Sequence, residues 1–136
     1  MLTERTIDYL ETIYLLSQRQ DTVGVSQVAA EREVTIPTAR SAIGRLKKAG
    51  YVRQERYGKI VLTNRGATRA AAVYRTHRVL YRFLHDLLGV ARETADKEAC
   101  RLEHVLSADT FSRLIDFLDR HPELAGSVAT ATEEDD

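Results

Sequence analysis

The sequence predicts a mainly α-helical chain interrupted by one short β-hairpin. Apolar residues recur at the helical period through most of the 136 residues, and capping residues stand at the start of most such stretches. Only one pair of short β-prone runs flanks a glycine-containing turn. Two prolines and 43% hydrophobic residues suit long helices and one modest core, with dimerisation a natural way to bury more.

Residues 3–18 read as a helix, with Thr3 as cap and Ile7, Leu10, Ile13 or Tyr14, and Leu16 as the apolar stripe. Residues 19–24 break it. Val25 or Ser26 opens a short helix to about Glu33, with Val28 and Ala29 inward. Thr35-Ile36-Pro37 starts the next, because threonine caps well and proline is tolerated in a first helical turn. Its core side is Ala39, Ala42, Ile43 and Leu46, and Gly50 ends it. Two helices a few residues apart, the second with a polar, basic outer face, match the helix-turn-helix pattern. Residues 51–55 and 59–63 are β-prone around Tyr57-Gly58, and Arg53, Arg56 and Lys59 make this hairpin a basic wing. Asn64 is expected to cap a long helix to about Leu88, broken by Gly89. A further helix covers 92–105. Ser107 caps a last one to about Leu118, with Phe111, Leu114, Ile115 and Leu118 as its apolar face. The acidic run after Gly126 is expected to be frayed, and no internal repeat is found.

The formal net charge of zero hides a strong asymmetry. From Thr38 to Arg82 there are twelve basic residues against Glu55 alone, a local charge of +11 that the rest of the chain balances with −11. A block of this kind is an electrostatic footprint for phosphate, while the acidic remainder suits cations. No stretch approaches the length of apolar sequence that spans a bilayer, and the first apolar run is interrupted by Asp8 and Glu11, unlike a signal peptide. A soluble, cytoplasmic protein with no membrane partner is expected. The single cysteine excludes an internal disulfide, so its thiol is a ligand, a redox sensor or a small buried apolar group.

Cys100, Glu103 and His104 stand at i, i+3 and i+4, so a thiol, a carboxylate and an imidazole project from one helix face. Asp8 and Glu11 repeat the i, i+3 spacing in the first helix, and His77 lies in a third. This donor set suits a divalent transition metal. Carboxylate and imidazole favour manganese and ferrous iron, and the thiolate shifts preference toward iron, cobalt or zinc. Fe(II) or Mn(II) is therefore the expected effector, with Co(II) or Zn(II) able to bind in vitro. For DNA, Thr35, Pro37, Thr38, Arg40 and Ser41 occupy the start of the second helix of the pair, the end that meets base edges. Arg40 is the candidate for guanine, while Lys47, Lys48, Arg53, Arg56 and Lys59 are phosphate candidates. Arg45 is a candidate for pairing within the protein instead.

The chain resembles the diphtheria toxin repressor family of iron- and manganese-dependent regulators over about residues 5–120. The resemblance rests on Asp8-Tyr9-Leu10-Glu11-Thr12-Ile13-Tyr14, Leu62-Thr63-Asn64-Arg65-Gly66, His77-Arg78, and the run from Glu98 to Ser107. It implies a homodimeric repressor that binds a palindromic double-stranded operator when loaded with metal and so controls metal homeostasis. Manganese-type members are similar at Asp8, Glu11, His77, Glu103 and His104, but typically have a carboxylate where Cys100 stands. Iron-type members match Cys100, Glu103 and His104, but typically have methionine at position 8. Their ancillary metal site expects glutamate at Tyr81 and histidine at Asp96. The form expected is a short one, manganese transport regulator-like, without the SH3-like domain of longer members. The domain organisation expected is a winged helix-turn-helix at 1–63, a helical metal-binding and dimerisation domain at 64–124, and an acidic, disordered tail at 125–136. Two other readings compete. One is a metal-independent winged-helix regulator with Cys100 as redox sensor. The other is a metal hydrolase, which lacks a general-base or nucleophile pattern here, so no enzyme is expected.

Overall fold

The structure, a computed structural model, describes residues 2–121. The expected acidic tail lies outside the described residues. In order, these form α1 (Glu4–Arg19), α2 (Val25–Arg32), α3 (Ile36–Lys48), β1 (Val52–Gln54), β2 (Ile60–Leu62), α4 (Asn64–Arg82), a π-helical turn (Phe83–Leu87), α5 (Arg92–Val105) and α6 (Ala108–Arg120). The chain divides between Ala72 and Val73 into two compact units. It is the mainly helical winged helix-turn-helix protein that the periodicity predicts.

Local chemistry sets most boundaries. Thr3, Thr35 and Ser107 each accept, through the side-chain oxygen, the backbone N–H three residues on, at 3.2, 3.2 and 3.1 Å. At α2 the arrangement is reversed, with the Gly24 N–H donating to Gln27 Oε1 at 2.6 Å. β1 and β2 are antiparallel, with Val52 opposite Leu62 and Gln54 opposite Ile60. The turn between them places Tyr57 and Gly58 at φ of 66° and 78°.

Two expectations about α4 are corrected. The cap is Thr63, not Asn64: its Oγ1 accepts from the Gly66 N–H at 3.0 Å and donates to the Gly50 carbonyl at 2.7 Å, leaving Asn64 as the first helical residue. The α-helix also ends at Arg82 rather than running to Leu88. The π-helical turn follows, with the Leu88 N–H on the Phe83 carbonyl at 3.2 Å. The extra residue re-aims the side chains, so that Phe83 touches both apolar clusters of the second unit.

In the first unit, Leu10 and Ile13 of α1, Val28 of α2, and Ala39, Ala42, Ile43 and Leu46 of α3 form one core with Val52 and Ile60 of the hairpin. Ala70 joins it, tying the first turns of α4 to this unit. In the second unit, Leu80 and Leu84 pack on Ala95 and Ala99, while Val79 packs on Leu118. Among the described residues no helix is long and apolar enough to cross a membrane.

Candidate functional site

The small residues Ala95 and Ala99 are fully buried, which lets α5 lie close against Leu80 and Leu84. This packing fixes the neighbouring face of α5, which carries Asp96, Cys100, Glu103 and His104. His77 of α4 meets that face with both ring nitrogens. Nδ1 is 2.8 Å from Glu103 Oε1, and Nε2 is 3.0 Å from Asp96 Oδ1. Two carboxylates around one ring are satisfied by an imidazolium, which has an N–H on each side.

The Glu103 side chain is 1% exposed. Its second oxygen, Oε2, is buried with no hydrogen-bond partner and lies 3.9 Å from His104 Nε2. The Cys100 sulfur and a His104 ring nitrogen lie within 4.8 Å of one another, as do a His77 nitrogen and a Glu103 oxygen. An orphaned buried carboxylate oxygen costs free energy unless a cation or donor answers it. His77 and His104 flank that carboxylate and the Cys100 thiol lies near His104, a donor chemistry that fits a divalent transition metal.

Four of the six metal candidates, His77, Cys100, Glu103 and His104, thus come together within the second unit. The other two, Asp8 and Glu11, are half-buried on α1 in the first unit. Asp8 Oδ2 stands 3.9 Å from the Arg32 guanidinium, which lies over the Tyr9 ring at 5.4 Å. Asp96 was not among the candidates. The signal that finds it is its place four residues before Cys100 and seven before Glu103, on one helical stripe.

The DNA candidates on α3 are all exposed: Thr35, Pro37, Thr38, Arg40, Ser41, Lys47 and Lys48. Thr35 and Thr38 are joined hydroxyl to hydroxyl at 2.8 Å, and Lys47 donates to Gln54 at 3.3 Å. On the hairpin, Arg53 pairs with Glu55 at 3.3 Å. Among the described residues, Arg40, Lys48, Arg56 and Lys59 have no side-chain hydrogen bond or ion pair, so their charges are available to a ligand. Arg45 is exposed but pairs within the protein as expected, donating to Thr6 at 3.2 Å and Ser41 at 3.1 Å.

Residues 1–60 match the N-terminal DNA-binding domain of the iron-dependent repressors, and residues 63–124 match their metal-binding and dimerisation domain. The chain is 36% identical to the iron-dependent repressor IdeR of Mycobacterium leprae, over 87% of this chain and 51% of that protein. It is 32% identical to a helix-turn-helix transcriptional regulator of Methanocaldococcus jannaschii, over 83% of this chain and 91% of that protein. Among solved structures, the manganese regulator SloR superposes with a TM-score of 0.76 at 31% identity, covering 84% of this chain and 53% of that one. The chain thus spans about half the length of IdeR. It belongs to the family of iron-dependent repressors that includes IdeR and the diphtheria toxin repressor.

Proposed function

We propose that this chain is a cytoplasmic, metal-dependent transcriptional repressor that binds a palindromic operator as a homodimer when loaded with Fe(II) or Mn(II), and that it is not an enzyme. One observation carries this reading: the buried Glu103 carboxylate, whose Oε2 accepts no hydrogen bond although His77 and His104 flank the carboxylate. The donors are Asp8 and Glu11 from α1, His77 from α4, and Cys100, Glu103 and His104 from α5. A bound divalent cation supplies positive charge and directional bonds to them.

The chain's own residues relate this chemistry to DNA. His77 and Cys100 give up protons to act as donors, so loading releases protons and strengthens as pH rises. Asp8 and Glu11 share α1 with Leu10 and Ile13, which are buried in one core with Ile43 and Leu46 of α3. Thr6, one turn earlier and fully buried, accepts from Arg45 of α3. A restraint placed on the acidic pair is therefore delivered to α3 through a close-packed core rather than a flexible joint. On α3, Arg40 presents a planar fork to guanine, while Thr35, Pro37, Thr38 and Ser41 line the same helix end. Lys47, Lys48, Arg53, Arg56 and Lys59 bind phosphates and set the salt dependence.

The test is operator binding measured without oxygen against Fe(II), Mn(II), Co(II) and Zn(II), with a chelated control. Metal must raise DNA affinity, and operator must raise metal affinity by the same factor. Equal DNA affinity of the chelated and loaded protein overturns the reading.

A further inference from the structure

We propose that Arg65 and Arg69 form a second anion site, a phosphate-binding cleft at the start of α4, separate from the recognition helix and the wing. The cleft has a volume of about 510 Å³ and is lined by Tyr51, Asn64, Arg65, Thr68, Arg69 and Ala72, all in the first unit. Its two guanidiniums stack on one ring: the Arg65 carbon lies 4.8 Å and the Arg69 carbon 5.9 Å from the Tyr51 centroid. Arg65 Nη1 donates to the Ala49 carbonyl at 2.7 Å, and Arg69 Nη1 donates to the Tyr51 hydroxyl at 3.1 Å.

Each arginine therefore spends one of its five N–H donors on the protein and is held in place with the others to spare. Arginines at i and i+4 repel one another, and here no carboxylate relieves them: among the described residues neither has an acidic partner. Two pre-oriented, uncompensated forks around a cavity are the arrangement that binds a tetrahedral oxyanion bidentately. Asn64 and Thr68 also line the cleft, and the positive end of the α4 dipole adds to the field.

The chemistry recognised is a phosphate group, and it has two sources: free phosphate or the backbone of bound duplex. Two arms separate them, both on the full chain. In the first, inorganic phosphate is titrated at constant ionic strength and followed by amide and arginine side-chain NMR. Saturable shifts at Tyr51 and residues 64–72 are expected, with affinity reduced about tenfold in Arg69→Gln and further in Arg65→Gln/Arg69→Gln. In the second arm, the salt dependence of duplex binding is measured for the same variants, with Arg75→Gln as control. A slope smaller by about 0.9 per lost contact assigns the phosphate to the DNA backbone. Unchanged slopes with lost phosphate shifts assign it to the free anion.

Either result supports the cleft. Diffuse, non-saturating shifts together with unchanged slopes overturn it. The duplex arm rests on the DNA-binding reading, whereas the phosphate arm does not, so a chain that fails to bind any duplex still decides the cleft. Arg65 also braces the end of α3 through Ala49, so the double variant's melting curve is recorded. If it unfolds early, Arg69→Gln carries the test, since among the described residues the Arg69 side chain hydrogen-bonds the Tyr51 hydroxyl alone.

Discussion

Alanine at Gly66 tests the joint on which α4 is mounted. A Cβ there would overlap the Tyr51 carbonyl oxygen and stand 2.8 Å from its carbon and 3.1 Å from its Cα. All three are backbone atoms, so no side-chain rotation relieves the overlap, and the chain itself must shift by about 1 Å to recover normal contact distances. The shift stretches three bonds in the joint: the Thr63 N–H to the Tyr51 carbonyl (3.0 Å), Thr63 Oγ1 to the Gly50 carbonyl (2.7 Å), and the Gly66 N–H to Thr63 Oγ1 (3.0 Å). At about 1 kcal/mol each, with about 1–3 kcal/mol of overpacking strain and about 1 kcal/mol returned by alanine's helix preference, the net loss is about 3–5 kcal/mol. Gly44 supplies the control, because a Cβ there meets nothing within 4 Å. It lies inside α3, so Gly44→Ala should stabilise by about 0.5–1 kcal/mol. Urea unfolding followed by circular dichroism reads both as shifts in midpoint. A Gly66→Ala protein as stable as the parent, or two variants that shift in the same direction, refutes the reasoning.

Three further outcomes are expected. Glu103→Gln should weaken Mn(II) or Fe(II) binding by at least about 100-fold, since loss of supporting groups alone costs 10–100-fold; calorimetry with the ion measures it, and unchanged affinity removes Glu103 from the site. Arg40→Ala should lose about 1–3 kcal/mol of discrimination at one base pair, whereas Lys59→Ala should weaken all sequences and reduce the salt slope by about 0.9; equal, sequence-blind losses from both refute that division of labour. Cys100→Ser should still bind operator in response to Mn(II), because carboxylates and imidazoles remain; loss of the metal response together with an oxidant-dependent wild type would favour the redox sensor instead.

How much of this was legible in sequence depended on whether the cause was local. Thr3, Thr35 and Ser107 announce their helices because a cap needs only a hydroxyl and the next turn. Thr63 and Asn64 are both capping types side by side, and the sequence does not rank them. What ranks them is the Gly50 carbonyl, which Thr63 alone reaches across the hairpin. The π-helical turn had no local signal either, since it lies where Phe83 packs against both apolar clusters and Leu84 against one. In the site, Cys100, Glu103 and His104 were legible from spacing on one helix. Asp96 was not singled out, because its role is set by a histidine on another helix, 3.0 Å away. Arg65 and Arg69 were counted in the basic block, but only the structure shows both guanidiniums over the Tyr51 ring.

The buried Glu103 gives the argument its sharpest consequence. Taking an ionised carboxylate out of water costs several kcal/mol, and His77 at 2.8 Å offsets part of that through one oxygen only. The other oxygen accepts no hydrogen bond, with His104 Nε2 no nearer than 3.9 Å. Glutamine removes the buried charge while its amide oxygen still accepts from the His77 ring, and Asp96 remains on the other ring nitrogen, so stability alone does not require the carboxylate. Glu103→Gln should therefore melt, in the presence of chelator, at the same temperature as the parent or higher. Added ion should raise the melting temperature of the parent and leave the variant where it was, because only a ligand that binds the native state stabilises it. If the variant melted well below the parent in chelator and both rose equally with Mn(II), Glu103 would be a structural partner of His77, and the claim that its orphaned oxygen marks a metal site would fall.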